Sequence, residues 1–88
     1  MRAAIFSTHG SSEVMEIQDL EAPVPGPQEV RIEVRATAMN HLDLWARRGL
    51  PFEIPMPHIG GSDLAGIVDL AGSNVDESVI GSKLVVNP

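Results

Sequence analysis

Between Val30 and Thr37, apolar and polar side chains alternate: Val30, Ile32, Val34 and Ala36 are interleaved with Arg31, Glu33, Arg35 and Thr37. A period of two puts one set on each face of a strand, so a strand is expected here with its apolar face on a core and its charges in solvent. Shorter apolar stretches at 3–6, 14–17, 64–70 and 83–86 predict four more strands, the second pairing back on the first. They are bounded by turn-forming clusters: Ser7 to Ser12, Pro23 to Pro27, Gly60-Gly61-Ser62 and Gly72-Ser73-Asn74. Three prolines within residues 23–27 fix φ and remove backbone donors, which predicts an extended connector and turn.

One short helix interrupts the strands. Asn40 is a good N-cap, and Asp43 three residues on is placed for a capping box and favours the positive end of the helix. Met39 and Leu44 have the spacing of a hydrophobic staple. Arg47 and Arg48 fall in the last turn, Gly49 is placed just past the end, and Pro51 prevents continuation. Residues 50–57 hold three prolines and predict an irregular loop. Many short strands, one helix and many Gly/Pro turns predict a mainly β fold, a barrel or sandwich.

Composition narrows this picture by exclusion. The chain has 88 residues, one small domain's worth, and a domain of this size buries only about 60–65% of its unfolded surface. Six basic against 12 acidic residues give a formal net charge of −6. With no basic run, such a chain is expected to bind neither nucleic acid nor an anionic membrane. There is no cysteine, hence no disulfide and no thiolate metal site within these residues. Residues 2–6 are too short for a signal-peptide core, and no apolar run approaches the roughly 20 residues of a membrane helix. A soluble, cytoplasmic protein is expected. The segment 83–86 has no later strand to pair with before Asn87-Pro88, so the chain is expected to be part of a longer polypeptide.

The order of these signals resembles the medium-chain dehydrogenase/reductase family, and in particular its N-terminal, GroES-like domain. The residues that carry the resemblance are Pro25-Gly26-Pro27-Gln28-Glu29-Val30, the strand from Arg31 to Ala38, and Asn40-His41-Leu42-Asp43-Leu44. Pro55-Met56-Pro57, Gly61-Ser62-Asp63-Leu64-Ala65-Gly66-Ile67-Val68 and Gly81-Ser82-Lys83-Leu84-Val85-Val86 continue it. The last motif departs from the family's usual Gly-Asp-Arg-Val. The resemblance implies a partly open, truncated β-barrel over residues 1–88 that forms the substrate side of an oxidoreductase, with the Rossmann cofactor domain absent.

Zinc alcohol dehydrogenases of this family place a cysteine at the start of the short helix and a histidine before the acidic residue of the glycine turn. A catalytic zinc needs three protein donors and an open position. Here those positions hold Asn40 and Ser62, so no catalytic metal is expected, and the resemblance is nearest the zinc-free quinone-oxidoreductase branch. Leu42 stands where zinc enzymes usually have a hydroxyl that relays the alcohol proton, which leucine cannot do. His9, His41 and His58 lie in three separate segments without ligand spacing.

By the same resemblance, Asn40 and Ser62 are candidate catalytic residues, and Asn40 and His41 candidate contacts of NADPH or NADH. A helix N-terminus favours the cofactor's pyrophosphate near His41; the competing readings are a helix cap and a surface histidine. Trp45 and Asp43 are candidates for the substrate pocket, although a helix tryptophan is more often core and Asp43 has its capping role. Asp63 is expected to order its turn or to pair with Arg47 or Arg48. Gly60, Gly61 and Gly66 permit close backbone approach, to a neighbouring strand or to a nicotinamide. No Gly-x-Gly-x-x-Gly follows a strand.

The function expected is hydride transfer from NAD(P)H to a quinone, enone or carbonyl in the full-length enzyme, with no activity for the 88 residues alone. A zinc-containing alcohol dehydrogenase and a stand-alone, non-catalytic GroES-like binding or assembly module are the alternatives. Exposed strand edges predict self-association.

Overall fold

The computed structural model of the chain describes residues 1–87. Its elements are β1 (Arg2–Phe6), a 3-10 turn at Ser12–Val14, β2 (Glu16–Asp19), β3 (Val30–Ala38), α1 (His41–Arg48), β4 (His58–Ile59), β5 (Asp63–Ala71), a 3-10 turn at Glu77–Val79, and β6 (Lys83–Val86). The strands make two antiparallel three-stranded sheets, in the orders β2-β1-β4 and β3-β5-β6. The mainly β fold with a single short helix is therefore as expected. The chain divides into two compact units, one of Met1–Glu21 with Met39–Gly61, the other of Ala22–Ala38 with the chain from Ser62 on.

In the first unit β1 is the central strand. It pairs with β2 through Ala3↔Gln18 and Ala4↔Ile17, and with β4 through Ile5↔Ile59 and Phe6↔His58. Ile5 and Phe6 are both buried. Neighbouring strand residues point to opposite faces, so the C-terminal end of β1 is covered on both sides. The Phe6 ring has the imidazoles of His58 and His9 at centroid distances of 5.1 and 6.0 Å. β2 starts two residues later than the apolar run at 14–17 suggested. The amides of Val14 and Met15 are spent on Ser11 and Ser12 carbonyls, which makes a local turn first. The two-residue strand β4 follows a proline-rich loop and carries no alternation, so no pattern announced it.

In the second unit β3 lies along β5 from Val30↔Ala71 to Ala38↔Asp63. Two register shifts, at Arg31/Ile32 and Val34/Ala36, break the ladder. The first leaves Asp69 as the extra residue on β5 and the second leaves Arg35 as the extra residue on β3, so the parity of β3 itself changes only after Val34. The simple two-sided reading of β3 is corrected: only residues 30–32 are half-buried, and Val34 and Ala36, assigned to the core face, are exposed, Val34 by 51%. The crossing beside it depends on Gly66, because a Cβ there would overlap the Glu33 carbonyl oxygen and the Ile32 side chain. Two residues on, Val68 is buried. β6 runs against β5 through Gly66↔Leu84 and Ala65↔Val85, and the chain between 81 and 82 continues the pairing by exchanging bonds with Val68 at 2.8 and 3.0 Å. On the surface, Arg31 Nε donates to Asp69 Oδ1 at 3.0 Å across the two strands. Among the described residues no helix is long and apolar enough to cross a membrane.

Candidate functional site

α1 begins where its caps said it would. Asn40 is the N-cap, in extended conformation, and forms a capping box with Asp43. The Asn40 amide donates to Asp43 Oδ2 at 2.8 Å. At the other end Gly49 has φ 125°, and its amide donates to the Trp45 carbonyl at 2.9 Å. The expected staple does not form: Met39 is largely exposed, so it cannot be packed under Leu44.

The helix has an unusual division of faces. Asp43, Ala46 and Arg47 are spaced i, i+3, i+4, and all are buried or half-buried. His41, Leu42 and Trp45 are exposed. Trp45, for which a core position was the more common expectation, is 56% exposed. A two-turn helix can bury only one side, and here the small Ala46 lets the chain approach closely on that side. The His41 and Trp45 rings, one turn apart, lie 6.1 Å from centroid to centroid, tilted by 34°. The candidate cofactor and pocket residues His41 and Trp45 thus share an outward surface.

The inward groups are held by backbone. Asp43 Oδ1 accepts from the Gly61 amide at 2.8 Å. Gly61 has φ 99°, a conformation in which glycine is favoured over residues with a Cβ. His9 Nδ1 lies 2.9 Å from the Ala46 carbonyl oxygen, which can only accept, so that nitrogen carries the proton. His9 therefore serves the helix end, and His58 packs on Phe6. Among the described residues no three of His, Cys, Asp and Glu stand close enough together to hold a metal ion.

Ser62 and Asp63 begin the second segment of the second unit. Ser62 is half-buried in the segment leading into β5. The Asp63 carbonyl accepts from Thr37 Oγ1 at 2.7 Å, locking the start of β5 to the end of β3. A shallow hollow of about 230 Å³ lies there, lined by residues 36–38 and 63–65 with Val85. It is smaller than most ligand pockets and contains no candidate catalytic residue. Sequence reasoning missed the bond from Gly61 to Asp43, whose only trace was an acidic residue in the first turn and a later Gly-Gly pair.

Comparison with known proteins gives this arrangement a context. Residues 26–88 match the model of the alcohol dehydrogenase GroES-like domain. A quinone oxidoreductase of Pseudomonas aeruginosa is 37% identical over 79 residues, 90% of this chain and 24% of that protein. The Escherichia coli quinone oxidoreductase complexed with NADPH superposes with a TM-score of 0.87 at 29% identity, covering 97% of this chain and 26% of that one. A cobalt- and zinc-bound thermostable alcohol dehydrogenase from Pyrobaculum aerophilum gives 0.86 at 44% identity, covering 97% and 26%. The chain spans about a quarter of the length of the curated relatives it matches.

Proposed function

The chain belongs to the alcohol dehydrogenase GroES-like domain family of the medium-chain dehydrogenases/reductases, and from that premise we propose that it is the substrate side of a zinc-free, NAD(P)H-dependent oxidoreductase. The observation that carries the proposal is the likeness, over 97% of the chain, to a quinone oxidoreductase solved with NADPH. The bound dinucleotide would supply the hydride, and its own binding fold lies outside these 88 residues. A quinone, enone or carbonyl is the acceptor class.

The residues present suit one side of such a site. Asn40 offers an amide at the helix start, where it can hydrogen-bond a substrate oxygen or the nicotinamide. His41, exposed in the first turn of α1, suits an anionic pyrophosphate. Trp45 presents a flat apolar face to a planar substrate. Ser62 carries a hydroxyl that could hydrogen-bond a substrate oxygen. Asp43 is the exception among the candidates, because both of its oxygens are engaged by backbone amides. Absence of catalytic zinc follows from Asn40 and Ser62, neither of which is a good zinc ligand.

The test is to express the whole reading frame and follow NADPH consumption with a quinone, beside the 88-residue chain alone. Turnover by the first and none by the second is the expected result; turnover by the 88 residues would overturn the division of labour. A second reading, a zinc alcohol dehydrogenase with altered ligands, is favoured by the metal-bound Pyrobaculum relative. Stoichiometric zinc retained after dialysis, together with alcohol oxidation, would establish it instead. β3 and β6, the outer strands of their sheet among the described residues, also suit pairing between copies, which light scattering at rising concentration would reveal.

A further inference from the structure

Asp43 does more than a capping residue requires. Capping uses one oxygen: Oδ2 accepts from the Asn40 amide at 2.8 Å. The other oxygen accepts, at the same distance, from the amide of Gly61, eighteen residues further along. The approach is close enough that a Cβ on Gly60 would stand 3.4 Å from Oδ1. The residue is half-buried, on the inward side of α1. Only a carboxylate gives two acceptors from one short side chain; an asparagine would turn a donor NH₂ toward one of the two amides.

We propose that Asp43 is a positioning residue, whose carboxylate pins the start of α1 to the Gly60-Gly61 turn and so fixes the backbone that carries Asn40 and leads into Ser62. It acts through backbone amides and touches neither substrate nor cofactor, which separates it from Asn40. The consequence for rate rests on the oxidoreductase reading above; the clamp itself does not.

The experiment compares the parent chain with Asp43→Asn and Asp43→Glu by amide hydrogen exchange at Gly61, and compares kcat and KM in the protein expressed from the whole reading frame. Losing a charge-assisted bond is expected to speed exchange at Gly61 by about tenfold or more in Asp43→Asn. The kcat is expected to fall by a similar factor, while KM for NADPH stays within about threefold, since a misplaced donor costs more in the transition state than in binding. If Asp43→Asn fails to fold, Asp43→Glu keeps the charge and the capping of Asn40, while its longer arm is expected to displace the oxygen that holds Gly61, so faster exchange at Gly61 is again the expected result. Unchanged exchange at Gly61 in a folded variant overturns the proposal and leaves Asp43 a helix cap. A parent protein with no NADPH oxidation would defeat the oxidoreductase reading alone, because the exchange measurement still decides the clamp.

Discussion

Arg47 and Gly10 hold one another twice: the Gly10 amide donates to the Arg47 carbonyl at 2.9 Å, and Arg47 Nε donates back to the Gly10 carbonyl at 3.3 Å. With His9 bonded to the Ala46 carbonyl, the loop after β1 closes the last turn of α1. A cation at that end also suits the helix dipole. Arg47→Met keeps the aliphatic stem and the backbone bond but loses the guanidinium, and is expected to cost about 1–2 kcal/mol of stability. Urea denaturation checks this; a change within error would mean that the side-chain bond is replaced by water without loss.

Gly66 tests the packing of the second sheet. Gly66→Ala places a methyl group into the Glu33 carbonyl and Ile32, both fixed within β3. Forced separation of paired strands is expected to cost about 3 kcal/mol or more, enough to unfold a marginal domain. Gly81→Ala is the comparison, since nothing lies within 4 Å of a Cβ there and only its φ of 90° is strained. Thermal denaturation should rank Gly66→Ala well below Gly81→Ala.

The Arg31–Asp69 pair crosses β3 and β5 in partly exposed positions, with side chains 29% and 37% accessible. Its removal in Asp69→Asn is expected to cost about 0.2–1 kcal/mol at low salt. The loss should shrink as ionic strength rises, because solvent-facing charges are screened. Denaturation at two salt concentrations measures both terms, and a large salt-independent loss would refute a surface ion pair.

Asp76 is one group whose titration the fold alters. The Ser78 backbone amide, and then the Ser78 hydroxyl, hold the Asp76 carboxyl below its ordinary value by bonding its charged form. A lowered folded pKa means that this contribution to stability is present above the ordinary carboxylate range. It is lost as pH falls through the lower, folded value. Carbon-detected NMR titration should find Asp76 titrating below the ordinary aspartate value, and Asp76→Asn should make the acid limb of the stability curve slightly less steep.

The parts of this structure that were legible in the sequence are those set by neighbours along the chain. The capping box of Asn40 and Asp43, Gly49 past the end of α1, and the strand at 64–70 all follow from local chemistry. Alternation failed in β3 because how far a strand face is covered is set by distant parts of the chain, and from residue 33 on both faces of β3 are exposed. β4 has only His58 and Ile59, too few for a period. For the candidate site, Asn40 and His41 follow from the resemblance of their motif, and Trp45 from its flat apolar ring. The second use of Asp43 was hidden because its partner is a backbone amide, which every residue but proline carries.

Trp45 is the only tryptophan in a chain with no tyrosine, and it stands on the outward side of α1. One fluorophore therefore stands on the exposed face of α1. Its emission in the isolated chain should be red-shifted, as for an indole in water, and should change little as the first unit unfolds. Whatever settles against that helix, whether a dinucleotide, a conjugated substrate or another polypeptide, would shift the colour or quench it, so occupancy can be read without a label.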